Sequence, residues 1–223
     1  MDLNKYYNNG VGMTKPSLDD IINVLDSYDR PISILEFGSG FSTEFFIDYI
    51  KKRGDTSRIV SFDNDKRYAY KPKDDDTCLK MCIRDLISCK DDDFNKCVSD
   101  GMFDKSVFSR HISLPTNHPK YWRQRNLFYN IQDGDISGIF DFILLDGPNG
   151  NGRNLAYSII SDNVMPGSHI MIDDCNSRDN DYDYKFRENL ESLYNVNKIK
   201  EHIYNKRVNV WEKGGNYCLY KFI

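Results

Sequence analysis

Apolar residues fall along this chain in short blocks separated by polar or glycine-bearing turns, and the blocks alternate between two periods. Ser17 opens a helix behind Pro16, with Asp19 and Asp20 in its first turn and Ile21, Ile22, Val24 and Leu25 as its apolar face. Ile32 to Phe37 is a short buried strand that stops at Gly38-Ser39-Gly40, and from Ser42 the spacing of Phe45, Phe46, Ile47 and Ile50 is helical. Arg58 to Phe62 is a second strand ending at Asp63, and Phe140 to Leu145 is another ending at Asp146. Arg153 to Ser161 reads as a helix, Ser168 to Ile172 as a strand ending at Asp173-Asp174, and Phe186 to Tyr194 as a helix. Val107 to Leu114 is the expected third strand, and Tyr121 to Ile131 reads as helix or loop. In the tail, Val208 and Val210, then Gly214-Gly215, then Tyr217 and Leu219 predict an antiparallel hairpin.

A series of strand–helix–strand units closed by a hairpin predicts an α/β fold. Its expected form is a Rossmann-like, mostly parallel sheet flanked by helices, with one reversed edge strand. The 223 residues suit one domain, 1–223. Residues 1–16 read as a loosely packed arm, and residues 66–106 as an insertion after the second strand. Within that insertion Cys78, Cys82, Leu86 and Cys89 recur at helical spacing, which predicts a cysteine-bearing helix.

Composition narrows the function. Hydrophobic residues are 39% and charged residues 29%, a soluble balance, and no apolar stretch approaches the ~20 residues of a membrane span. The polar N-terminus carries no signal-peptide core, so a cytoplasmic protein is expected. The net charge of −4 and the lack of a basic stripe count against nucleic acid and are compatible with a small-molecule or carbohydrate substrate. A homo-oligomer is compatible with the sequence. The six cysteines include no C-x-x-C pair, which favours buried thiols over zinc.

In a parallel sheet, ligands bind beyond the carboxyl ends of the strands, and here four such ends carry acids: Glu36, Asp63, Asp146 and Asp173-Asp174. The first reads Glu36-Phe37-Gly38-Ser39-Gly40-Phe41-Ser42-Thr43. It lacks the third glycine of the dinucleotide fingerprint, because Thr43 stands there. The run Glu36 to Gly40 resembles motif I, E/D-x-G-x-G, of class I S-adenosylmethionine (SAM)-dependent methyltransferases. That resemblance covers residues 32–65 and 139–175. It implies a cofactor site of Glu36, Gly38, Ser39, Gly40, Ser42, Thr43, Asp63 and Asp146, with the glycine loop around the methionine part of SAM and Asp63 on the ribose. Asp63 follows Gly40 by 23 residues, near the ~20 of a ribose-binding acid.

Asp146 and Asp173-Asp174 end neighbouring strands, so three carboxylates should crowd together, which calls for a cation or a proton. This arrangement resembles the metal-dependent O-methyltransferases. It implies Asp146, Asp173 and Asp174 as ligands of Mg²⁺ or another divalent cation that activates a substrate hydroxyl. Asp146 is thus also a catalytic candidate. His118, beside Pro119, Tyr121 and Trp122, is the candidate base, whereas His169 lies inside a strand and reads as structural. The run Asp146-Gly147-Pro148-Asn149-Gly150-Asn151-Gly152-Arg153 resembles carbohydrate-directed members of the fold. There Arg153 either binds an acidic substrate or pairs with the local acids.

The expected activity is methyl transfer from SAM to a hydroxyl of a sugar or other small molecule. The alternatives are a nicotinamide-dependent oxidoreductase, a non-catalytic module of the same fold, and, within methyltransferases, a protein or RNA acceptor. No N-P-P-Y-like run follows Leu145, which disfavours an amine.

Overall fold

The computed structural model describes residues 2–7, 12–110, 125–176, 178–179, 182–203 and 216–223. The chain begins with a 3₁₀ turn at Leu3–Tyr6 and helix α1 (Lys15–Asp26), then β1 (Ser33–Phe37), α2 (Phe41–Arg53) and β2 (Arg58–Asp63). There follow β3 (Leu79–Ile83), β4 (Leu86–Ser88), α3 (Asp91–Asp100), β5 (Ser109–Arg110), β6 (Leu127–Tyr129) and β7 (Phe142–Leu145). The remainder comprises α4 (Leu155–Ile159), β8 (His169–Asp173), β9 (Arg178–Asp179), β10 (Tyr182–Asp183), α5 (Phe186–Leu193), β11 (Val196–Ile203) and β12 (Asn216–Phe222).

Seven strands form one sheet in the order β11-β12-β8-β7-β1-β2-β3. All but β12 run parallel, and β12 is antiparallel to both its neighbours. The α/β Rossmann-like fold expected from the sequence is therefore present, with one change. The reversed strand lies inside the sheet and the edge strand is β11. The small antiparallel sheet β5-β4-β6 packs beside it.

Strand alternation decides where the chemistry goes. Ile34, Ile59, Phe142, Leu144 and Met171 pack with Ile21, Leu25, Phe45 and Phe46 of α1 and α2. Leu35, Phe37, Val60, Phe62, Ile143 and Ile170 pack on the other face with Phe94, Leu155 and Leu190 of α3, α4 and α5. With a period of two, Glu36, Ser61, Asp63 and Asp173 must share the α1/α2 face.

Several sequence expectations are corrected. The third parallel strand is Leu79–Ile83, not Val107 to Leu114, of which only Ser109–Arg110 is strand among the described residues. The predicted cysteine-bearing helix is instead β3 and β4, with Cys82 inside β3 and Cys89 just past β4; the helix comes later, as α3 with Cys97. The segment 66–106 is thus partly sheet. Within the arm, Tyr6 is packed: it is fully buried, meets Phe45 edge-on with ring centres 5.4 Å apart and donates to Asp48 at 2.7 Å. An antiparallel C-terminal pair is present, with Tyr217 and Leu219 in β12 as expected, but its first strand is β11, Val196–Ile203; Val208, Val210 and Gly214-Gly215 lie outside the described residues.

Candidate active site

The sheet order turns back between β1 and β7, which is where an open α/β sheet leaves a crevice at its carboxyl end. A cavity of about 740 Å³ lies there. Ser39 to Ser42 line it from the β1 turn, Asp146 from the end of β7, and Asp173 and Asp174 from the end of β8. Arg67, Tyr68 and Tyr70, beyond β2, and Met13, Thr14 and Ser17, before and within α1, complete the wall with Asn216 of β12.

The glycine turn is held by contacts that only small residues permit. Gly38 has φ +100°, and a Cβ there would lie 2.7 Å from the Gly147 nitrogen. A Cβ on Gly147 would meet the Tyr129 hydroxyl at 2.5 Å and the Gly38 Cα at 2.8 Å. The turns after β1 and β7 therefore pack glycine on glycine. Gly40 differs: a Cβ there meets no atom of the described residues within 4 Å, and Gly40 lines the cavity.

Glu36 lies one layer below this lining, with no exposed surface. Its Oε2 accepts from Thr43 at 2.6 Å and from Ser61, while its Oε1 has no partner among the described residues. Burial pushes its carboxyl up to about 7, against the pull of the Ser42, Ser61 and Thr43 hydroxyls. The Thr43 hydroxyl also accepts the Gly40 N–H at 2.9 Å. The side chain at the missing-glycine position thus occupies a backbone donor that a pyrophosphate would want.

Asp63 is nearly buried and is raised to about 6 by that burial. It accepts the Asp65 N–H at 2.7 Å and the Ser39 N–H at 3.2 Å. It therefore pins the glycine turn from behind and is not part of the cavity lining.

Asp146 opens onto the cleft with 39% of its side chain exposed, while Arg153 beneath it is 5% exposed. Arg153 donates to the carbonyls of Pro148 and Asp173, each at 3.0 Å, and stands 3.6 Å from Asp146. Of its two expected roles, these contacts serve the pairing with the local acids and carbonyls. The loop around it is packed as well. Asn151 and Asn126 exchange hydrogen bonds of 2.8 Å, and residues 151–154 are all buried. Low exposure raises the Asp173 carboxyl well above its usual range, helped by the charges of Asp146 and Asp174. Asp146 is likewise raised by its surroundings, with Arg153 opposing.

The three carboxylates expected to meet thus share one wall and feel one another's charge. Their all-oxygen chemistry fits a hard divalent cation. Among the described residues, however, no three His, Cys, Asp or Glu side chains stand grouped as a metal-holding set. His118 lies outside the described residues, as do Pro119, Tyr121 and Trp122. His169 is structural as expected: its Nδ1 shares a 2.8 Å hydrogen bond with the Tyr28 hydroxyl, and burial lowers it to about 4. Sequence reasoning missed the wall formed by Met13, Thr14 and Ser17. It also missed Arg67, Tyr68 and Tyr70, although their place just after Asp63 puts them at a strand's carboxyl end. Among the described residues, no helix is long and apolar enough to cross a membrane.

No family model matches this chain, and no curated protein does. Among solved structures, one described as "cmcI-N160 SAH" is similar over 96% of this chain and 81% of its own, with 14% identity and a TM-score of 0.48. A proposed methyltransferase from Thermoplasma acidophilum is similar over 86% of this chain and 68% of its own, with 14% identity and a TM-score of 0.36.

Proposed function

We propose that this chain transfers a methyl group from SAM to a hydroxyl of a sugar or another small molecule, with a divalent cation assisting at Asp146, Asp173 and Asp174. The observation that carries this reading is the charge of the cleft. Glu44, Asp146, Asp173 and Asp174 line it, and Arg67 is the one cation among its described lining residues. Beneath the turn lies the Oε1 of Glu36, buried without a hydrogen-bond partner among the described residues. Such a cleft favours a ligand bearing an ammonium and a sulfonium over a dinucleotide's pyrophosphate, and a bound cation would draw the raised Asp146 and Asp173 carboxyls into their charged forms.

When bound, SAM supplies an electrophilic methyl carbon, and everything the chain does around it is positioning and electrostatics. Ser39 to Ser42 hold the backbone of the turn open over Gly40, and Glu36 lies just below with negative charge to offset. Asp63 fixes the turn by its hold on the Ser39 N–H. Asp146, Asp173 and Asp174 would hold the cation, whose chemistry is to lower the pKa of an acceptor hydroxyl. Arg153 anchors the two loops that bear these acids, through Pro148 and Asp173. A carboxylate of the wall, or His118, would take the hydroxyl proton.

Calorimetric titration tests the reading. Metal-stripped protein should bind SAM at micromolar concentration and give no heat with NAD. With acceptor sugars present, Mg²⁺ should bind, and Asp146→Ala should abolish that heat alone. No SAM heat and no thermal shift would sink the methyltransferase reading, whereas SAM binding with unchanged Mg²⁺ heat in Asp146→Ala would sink only the metal assignment.

A further inference from the structure

Two cysteines that the proposed chemistry does not use meet directly behind the acidic wall. Cys175 follows Asp173 and Asp174 in the turn that leaves β8, and Cys218 is the third residue of β12. The antiparallel pairing sets Tyr217 opposite Asp173 and Cys218 opposite Ile172. The Cys175 N–H donates to the Asn216 carbonyl at 3.1 Å, so the turn folds back over the start of β12. That fold brings the two sulfurs to 3.0 Å, well inside the ~3.5–4 Å of ordinary non-bonded contact. A disulfide is about 2.05 Å long, so roughly 1 Å of closure separates the pair from a bond. Cys175 and Cys218 are 4% and 0% exposed, and all six thiols of the chain are free. The Cys175 sulfur also lies 3.3 Å from the Asn216 side-chain oxygen, and Asn216, Asp173 and Asp174 all line the cleft.

We propose that Cys175 and Cys218 are a reversible oxidation site whose disulfide ties the Asp173–Asp174 turn to β12. The oxidant class is a small peroxide, which is close to water in size and can reach sulfurs closed to bulkier reagents. One sulfur, as thiolate, attacks a peroxide oxygen; the O–O bond breaks and hydroxide leaves, taking up a proton as water. The second sulfur attacks the resulting sulfenic acid; the S–S bond forms, the S–O bond breaks, and hydroxide leaves with the thiol's proton as a second water. Two thiols and one hydrogen peroxide thus give one disulfide and two waters, and a dithiol reductant returns both electrons.

This inference is independent of methyl transfer, and so is its test. The full chain is treated with graded hydrogen peroxide, its remaining thiols are alkylated, and its peptides are mapped by mass before and after dithiothreitol. The expected result is two fewer free thiols, one cross-linked peptide pair joining Cys175 to Cys218, and full return on reduction. Amide exchange at 174–176 should slow in the oxidised form. Cys218→Ser and, separately, Cys175→Ser should each lose the cross-linked pair, and the variant that keeps the attacking sulfur should stop at a sulfenic acid that dithiothreitol reverses. A cross-link between Cys89 and Cys97 instead, or irreversible oxygen adducts on Cys175 or Cys218, would overturn the assignment. Unchanged exchange at 174–176 in a cross-linked protein would overturn the tie to the cleft wall.

Discussion

Glu36→Gln tests the electrostatics of the site without any ligand. Glu36 is fully buried, and burial lifts its carboxyl from the ordinary 4.5 to about 7. Below pH 4.5 both the folded and unfolded chains hold this proton, so it contributes no pH dependence. Between 4.5 and 7 the unfolded chain releases it and the folded chain does not, so rising pH removes stability. Above 7 the loss is complete. At about 1.4 kcal/mol for each tenfold change in proton affinity, it amounts to roughly 3 kcal/mol. Glutamine cannot ionise, so the variant should escape this loss. It will carry an offset of its own, because its amide must find partners around Thr43 and Ser61, and an unmatched buried group costs about 1–3 kcal/mol. That offset shifts the whole curve equally, and only the pH-dependent gap reports the buried charge. Asp63, raised to about 6, gives a slope of the same sign in both proteins and cancels in the difference. Urea unfolding from pH 4.5 to 8 should show the stability of Glu36→Gln gaining on the parent by roughly 3 kcal/mol. For a chain of this size that is a Tm gap widening by about 5–10 °C. Parallel curves across that range would refute the argument, since they would mean that Glu36 carries no desolvated charge.

Three further outcomes follow from the geometry. Gly38→Ala combines an unfavourable positive φ with a Cβ 2.7 Å from backbone and should cost about 2–5 kcal/mol in thermal or urea unfolding, whereas Gly40→Ala should cost ~0.5–1 kcal/mol as a poorer helix cap yet abolish SAM heat. Arg153→Met strips a buried cation from Asp146 and from the Pro148 and Asp173 carbonyls, and should lower stability by about 3–5 kcal/mol in urea unfolding at pH 7. Tyr6→Ala should cost about 3–5 kcal/mol and also weaken SAM binding in calorimetry, because Gly12, Met13 and Thr14, which follow it in the chain, line the cavity.

The parts of the fold that could be read from sequence were those buried on both faces. β1, β2, β7 and β8 are contiguous apolar runs because helices cover the sheet on either side. Of the seven strands of that sheet, the two that were missed, β3 and β11, are its edges. Leu79–Ile83 carries an exposed Lys80, and Val196–Ile203 reads Val-Asn-Lys-Ile-Lys-Glu-His-Ile, with every position at least partly exposed. Edge strands need only one partner and tolerate charge, so their hydrophobic signal fades. In β3 the cysteine spacing added a false helical period. The N-terminal turn was unreadable for another reason: its packing rests on one aromatic, Tyr6, set among asparagines and a lysine, and no period reveals a single anchor.

The site was legible as positions but not as commitments. A carboxylate at the end of a parallel strand is readable, because alternation and topology put it at the crevice. What already occupies that carboxylate is set by distant residues. Asp63 is engaged by backbone N–H groups of its own turn and of the β1 turn, and Arg153 by carbonyls five and twenty residues away. Glu36 shows the reverse. Two hydroxyls satisfy one of its oxygens, and the other is left buried without a partner among the described residues. A fold that only needed a stable core would gain by an apolar residue at that point, since burial of the charge costs it stability at neutral pH. A ligand cation bound above the turn would lower that cost in the bound state alone. SAM should therefore stabilise the parent protein more at pH 8 than at pH 5 and lose that difference in Glu36→Gln. Thermal shifts of both proteins at the two pH values, with saturating SAM, check it; an equal shift in all four conditions would mean that Glu36 does not sense the ligand.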